Sequence, residues 1–296
     1  MPLVIFLLAY LIRRRLDIAG RLDGEQGFSQ LCQRLGGQSH PPAGSSHLPG
    51  LLAVALVTLL LFYLDWMATW QGWPAVLYPL ELGLLLVLMG LPGWKGRLEV
   101  YSDAWQRGDM QAAWHHIRDC LPASERGQAS SPDQMHRSLC HRFMMTVFER
   151  YFLVAFWFVL GGIPLAFLAR ALVALRDHWP DAEARSRFSL LVEVMAWLPV
   201  RLLSLSFGVA GDLSGWLRSG RQYLGRPAVS ASAVLAAGAS SALTGFALDP
   251  QRFSELHPDE WLQFGGRSLK AIRDLLNRSM LVWVCLLALL VIAGVV

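Results

Sequence analysis

The sequence predicts an all-α fold: a polytopic membrane helical bundle with cytoplasm-facing helical segments. Three observations predict it. Hydrophobic residues make up 54% of the chain and charged ones only 16%, against roughly 25% charged in an ordinary soluble domain. The apolar residues gather in runs close to the roughly 20 residues that a helix needs to cross about 30 Å of hydrocarbon. The 12 tryptophans lie largely beside those runs, where interfacial anchoring places them.

Taken in order, Met1 to Ile12 is apolar and Arg13-Arg14-Arg15 follows. A secretory signal has its cations before the apolar stretch and a small-residue cleavage site after it; here that order is reversed. A stretch of this length covers only about 18 Å. Residues 1–12 are therefore expected to form a short helix that dips into the membrane or packs on the bundle. The stretch 36–50 is rich in Gly, Pro and Ser and reads as a linker. Spans are expected at about 51–69, 75–93, 151–175 and 279–296, within a single membrane domain covering 1–296. The connection Gln71-Gly72-Trp73-Pro74 is so short that the first two spans should form an antiparallel hairpin.

Two polar helical segments are expected, 94–150 and 212–278. In the first, helices over Arg97–Asp119 and Pro132–Arg150 are broken at Leu121–Gln128. Residues 188–211 are apolar but hold Glu193, Pro199 and Arg201, which favours an interfacial helix along the bundle over a span. The Ala/Ser/Gly-rich stretch 228–247 is long enough to cross, but Ser and Gly contribute little transfer energy.

Charge bias sets the orientation. Residues 71–74 carry no cation, whereas 94–150 carry Lys95, Arg97, Arg107, Arg118, Arg126, Arg137, Arg142 and Arg150. The hairpin tip should then lie outside and 94–150 in the cytoplasm, as expected of a multi-pass protein of the bacterial inner membrane. The net charge is +4. Nucleic acid is not expected as a partner, because no Lys/Arg-rich run interleaves with a reading motif. The lipid bilayer is.

Several stretches carry a family resemblance. Tyr101-Ser-Asp-Ala-Trp-Gln-Arg-Gly-Asp109 opens the first polar segment. Arg150-Tyr151-Phe152 leads through Phe156-Trp157-Phe158 to Gly161-Gly162, and Trp197-Leu-Pro-Val-Arg201-Leu202 follows. Asn277-Arg278-Ser279-Met280 enters the last span. In this order and spacing the chain resembles the AmpE family, the inner-membrane protein encoded beside the amidase of the β-lactamase induction system. The resemblance implies an accessory or signalling protein linked to β-lactamase induction and cell-wall recycling. Family members often carry a Glu after the first apolar run, where Arg13-Arg14-Arg15 stands here. The AmpE family is in turn similar to the cobinamide-phosphate synthases (CbiB/CobD), which implies, as an alternative, a membrane-embedded ATP-dependent amide ligase or transferase. The Glu-Asn-x-x-Asp-Gly run of the synthases is missing, with Glu149 the nearest remnant. Their Asn-Thr-x-Asp-Ser-Met stretch is replaced by Leu172-Val-Ala-Leu-Arg-Asp177.

An anionic ligand is the expected occupant of any site, held by Arg150, Arg201, Glu149, Glu193, Tyr151 and Trp157. Arg150 and Glu149 sit where a polar segment meets a span. Arg150 either snorkels to headgroups or holds a phosphate or carboxylate through its planar fork. Glu193 and Arg201 lie on one helix face, and ionisable groups at membrane depth usually face a bundle interior. They serve either a site or a structural pair. Gly161 and Gly162 are expected to let a neighbouring helix approach closely. Two His/Cys pairs, His116 with Cys120 and His136 with Cys140, each share a helix face. Their spacing matches no zinc motif, and no metal is expected. No Walker loop, Gly-x-Ser-x-Gly or His-Glu-x-x-His occurs, so the sequence names neither a catalytic residue nor a cofactor. A transporter is disfavoured by the lack of an inverted repeat. The partner of an accessory protein would be an anionic small molecule or an envelope-signalling component.

Overall fold

A computed structural model describes residues 2–19, 24–37, 47–91, 93–121, 131–226, 228–243 and 247–294. Most of the expected linker at 36–50 and most of the break at 121–128 lie outside the described residues. Among the described residues every regular element is helical. The chain divides into two compact units, each assembled from separated stretches.

The first unit comprises Met1–Pro92, Glu149–Pro199 and Leu287–Val296. Its helices are α1 (Pro2–Ala19), α2 (Gly24–Gly37), α3 (Leu48–Trp70), α4 (Tyr78–Leu88), α8 (Leu153–His178) and the first part of α9 (Ala182–Ala210). Helix α8 is the centre, and α1, α2, α3 and α4 all pack on it. The reason is in its composition. It is apolar on every side, the mark of a helix surrounded by others. Small residues, Ala166, Ala169, Ala171 and Ala174, are buried where neighbours approach. Helix α1 buries Ile5, Phe6, Ala9 and Arg13 at helical spacing and packs on α4 and α8. It thus takes the bundle-packed of the two expected arrangements and extends beyond Ile12.

Helix α3 shows a different balance. It buries only the narrow stripe Gly50, Val54, Thr58 and Leu61. Leu52, Leu56, Leu59, Leu60, Trp66 and Trp70 stand exposed on its other faces. Apolar side chains on all sides of a long helix call for an apolar surrounding.

Among the described residues four helical stretches are long and apolar enough to cross a membrane: Leu48–Trp70, Pro132–His178, Ala182–Ala210 and Pro258–Ile292. Of the expected spans, 51–69 and 151–175 fall within them and 279–296 overlaps the last. The expected span 75–93 does not: its apolar helix covers only Ala75–Leu88, about 21 Å. Met89 leaves the helical region at ψ 165 and Gly90 follows at φ +117, so the chain turns although the composition remains apolar. Helix α4 packs on α1 and α8, and the 3-10 turn Pro74–Leu77 that leads into it packs on α3. Of residues 188–211, for which the sequence favours an interfacial helix over a span, all but Gly211 lie in α9, one of the four long apolar helices.

The second unit comprises Gly93–Phe148 and Val200–Leu286. It contains α5 (Trp94–Gln106), α6 (Met110–Ile117), α7 (Pro132–Val147), the short α10 (Leu213–Gly215), α11 (Ala231–Ala242), α12 (Pro250–Leu256) and α13 (Trp261–Ile292) up to Leu286. Its helix starts follow local rules. Asp109, Ser131, Ser230 and Asp249 each accept a hydrogen bond from a first-turn backbone N–H, and Pro follows Ser131 and Asp249 at the first helical position. Gly108, at φ +76, separates α5 from α6 inside the helix expected over Arg97–Asp119. The core is aromatic. Tyr101, Trp105, Phe253 and Phe264 are buried around His136, with Trp105 5.2 Å and Phe264 4.9 Å from its ring.

Candidate functional site

The charged residues of the first unit are brought together by a single wide turn. Phe148–Phe152 forms a π-helical turn between α7 and α8, and from Glu149 to Ala155 every residue is buried. A π turn adds a residue to the helical repeat and re-aims the side chains around it. Glu149, Arg150 and Tyr151 therefore all point into polar company although they are adjacent in sequence. Glu149 grips Arg176 through both carboxylate oxygens, at 2.6 and 2.9 Å. The Arg176 Nε donates to Asp177 at 2.9 Å. Arg150 is ion-paired with Glu25 from α2, and His178 Nε2 lies 3.1 Å from the other Glu25 oxygen. Tyr151 donates to Asp17 from α1.

The Glu25 carboxyl feels opposing influences. Burial alone would raise it, but the His178 hydrogen bond and the charges of Arg150 and Arg170 outweigh burial. Glu25 is held well below the usual carboxylate range and is ionised. On the same helix, burial pushes the Cys32 thiol up to about 11 against the opposing charge of Arg170. Cys32 is a protonated thiol packed against the Ala174 carbonyl, 3.9 Å away. All four cysteines are free.

Asp17 ties α1 to its neighbours. It pairs with Arg13 at 3.0 Å and accepts from the Leu91 N–H at 2.9 Å. Arg13, only 1% exposed, also donates to the Leu86 carbonyl at 2.9 Å. The three consecutive arginines thus do not act alike: Arg13 is a buried strut, while Arg14 and Arg15 are exposed.

Helix α8 is broken in its middle. Gly161 (φ −149, ψ 26) and Gly162 (φ +68, ψ −163) leave the helical region, and Pro164 follows two residues on. A Cβ on Gly161 would strike Leu165 of the same helix at 2.2 Å. The glycines serve a backbone break rather than the expected close approach of another helix. Such a break frees carbonyl and N–H groups that must be satisfied from nearby.

Of the six residues expected at a site, Glu149, Arg150 and Tyr151 come together. Trp157 lies further along α8, where its Nε1 donates to the Met195 carbonyl at 3.2 Å and joins α8 to α9. Glu193 is exposed on α9. Arg201 belongs to the second unit. There it donates to the carbonyls of Leu224 and Arg226 at 2.9 and 2.8 Å, closing the turn after the second π-helical stretch, Trp216–Gly220. The residues that sequence reasoning missed are Glu25, Arg170, Arg176 and His178. Only the basic end of α8 could have flagged them.

The His/Cys pairs have separate tasks. His136 is fully buried, with Nδ1 2.9 Å from the Tyr101 hydroxyl and Nε2 2.5 Å from Ser268 Oγ. Ser268 donates to the Phe264 carbonyl at 2.9 Å, so its oxygen accepts from His136 Nε2, and Nδ1 accepts from Tyr101. Burial raises the Tyr101 phenol well above its ordinary value, which keeps it the donor. This is a packed polar core. Cys120 receives the Arg97 guanidinium at 3.1 Å. Among the described residues no three His, Cys, Asp or Glu side chains are gathered as a metal would need.

No protein-family model, curated protein or solved structure matches the chain.

Proposed function

We propose that this protein is an AmpE-type accessory or signalling protein, multi-pass in the bacterial inner membrane and linked to β-lactamase induction and cell-wall recycling. One observation carries the reading. The stretch Arg150-Tyr151-Phe152, which the resemblance singles out, coincides with the π turn whose side chains anchor the buried charge network of the first unit. A surface loop has no need of such an arrangement. Buried ionisable groups beside long apolar helices mark functional positions in membrane proteins. The exposed leucines and tryptophans of α3, and the exposed Leu190, Val194, Leu281 and Leu289 of α9 and α13, support placement in lipid.

The second reading, a membrane ligase related to the cobinamide-phosphate synthases, draws on the break at Gly161-Gly162. Interrupted helices build sites at membrane depth, and this stretch is part of what the two families share. Against it stands the lack of any recognisable phosphate-cradling loop.

Deletion of the gene from a host with an inducible chromosomal β-lactamase separates the readings. The accessory reading expects a changed β-lactamase level after induction, restored by the wild-type gene and not by Arg150→Ala. An unchanged induction curve contradicts it. Mg-dependent ATP turnover by the purified protein would favour the ligase.

A further inference from the structure

Arg170 lies in the second half of α8 and is 1% exposed. Its guanidinium carbon stands 5.2 Å from the centre of the Phe28 ring of α2, which covers one face of the plane. Its Nε has no hydrogen-bond partner. Among the described residues no carboxylate or carbonyl accepts from it. A guanidinium carries five N–H donors and cannot shed its charge, so a buried one without an acceptor is an incomplete arrangement.

The acids nearby are committed elsewhere. The charged groups acting on Arg170 are Arg150, Glu25, Asp177 and Glu149. Glu149 and Asp177 are both taken by Arg176. Glu25 is taken by Arg150 and His178. Arg150 itself is 7% exposed and spends one nitrogen on Glu25. Two like-charged guanidinium groups thus neighbour each other around one carboxylate. Over the whole group the three guanidinium groups of Arg150, Arg170 and Arg176 equal in charge the carboxylates of Glu25, Glu149 and Asp177, but Arg176 takes two of those acids, so Arg150 and Arg170 share the third and the Arg170 Nε is left without an acceptor. Two planar forks that share one carboxylate suit a tetrahedral oxyanion, which offers several acceptor oxygens. Glu25 and His178, whose side chains are 34% and 23% exposed, are the open side of the cluster.

We infer that Arg170 and Arg150 form a binding site for a phosphate group, on the α2–α8 face of the first unit. The group belongs either to a soluble phosphate or to the headgroup of an anionic lipid. Arg150 was expected at an anion site from the sequence; its partner there is Arg170. The inference does not depend on the accessory-protein reading. Loss of binding would leave β-lactamase induction to be decided on its own, and an unchanged induction curve would leave the binding result standing.

The test is thermal melting of the full chain in a nonionic detergent. It is titrated with inorganic phosphate and, separately, with short-chain phosphatidylglycerol. Sodium chloride at equal ionic strength and short-chain phosphatidylcholine are the controls. A saturable rise in Tm beyond both controls is expected. The apparent Kd should weaken about tenfold or more in Arg170→Gln, the size expected for hydrogen bonds to a charged group, and should also weaken in Arg150→Gln. A rise with inorganic phosphate assigns a soluble ligand; a rise with phosphatidylglycerol alone assigns a headgroup. No saturable rise with either probe, a rise matched by the controls, or an unchanged Kd in Arg170→Gln overturns the site. If Arg170→Gln fails to fold, Arg170→Lys serves. It keeps the charge and loses the fork, so binding as tight as wild type would overturn the site equally.

Discussion

Glu25 opens α2 and meets Arg150 and His178, whose positions lie far along the chain. At neutral pH it is ionised, and Arg150, Arg170 and His178 face it. Its carboxyl is lower in the folded protein than the roughly 4.3 of an unfolded glutamate. The stabilisation is therefore fully present above the unfolded value and is lost as pH falls below it. Melting curves should show Tm dropping as the solution is acidified below about pH 4.5. Glu25→Gln should have a lower Tm at pH 7 and a flatter acid limb. A parallel acid limb in the variant would mean that Glu25 is not the group responsible. Gly90 offers a second test at this scale. It sits at φ +117, and a Cβ there would lie 1.8 Å from Arg13 Nε. Gly90→Ala should cost about 1–3 kcal/mol through backbone strain, with more from displacing Arg13. Gly96→Ala, where nothing stands within 4 Å of the added Cβ, should leave Tm unchanged or slightly raised. Equal behaviour of the two variants would contradict the packing of Arg13 against Gly90. Arg150 was legible because it stands at the mouth of an apolar run. Arg170 was not, because its meaning comes from Phe28 and Glu25 on a different helix, and no local pattern records that pairing.

Helix α8 shows what local pattern leaves open at the level of an element. The pair Gly161-Gly162 reads equally as a close-packing surface and as a break. The backbone angles decide for the break. Gly162→Ala forces a Cβ onto φ +68 and should lower Tm by a few degrees, while Gly83→Ala, unobstructed in α4, should not. Equal melting of the two would return the pair to a packing role. The expected span at 75–93 failed for a related reason. Hydropathy follows composition, but Gly90 ends the regular backbone before the apolar residues end. For α9 the ionisable residues argued against a span. In the structure Arg201 is satisfied by two carbonyls, so its charge does not prevent a long apolar helix. The caps Asp109, Ser131, Ser230 and Asp249 act within their own first turns and need no distant partner.

For the whole molecule the helical class and the long apolar elements followed from periodicity and composition alone. The division into two units, each built from separated stretches, did not, because it depends on contacts between distant parts of the chain. Leu56, Leu59, Trp66 and Trp70 on α3, Val194 on α9, and Leu289 and Ile292 on α13 are exposed, an arrangement that an apolar surrounding would stabilise. The proposed placement across the inner membrane puts the 71–74 connection outside and the polar segment from Lys95 inside. Cysteine accessibility in intact cells tests it most directly. The four native cysteines are first replaced by Ala, and single cysteines are introduced as Gly72→Cys and Glu99→Cys, the second at a side chain 62% exposed. A membrane-impermeant maleimide should modify position 72 in intact cells and position 99 only after the membrane is opened. Modification of 99 from outside, or of both positions only after lysis, would contradict the account.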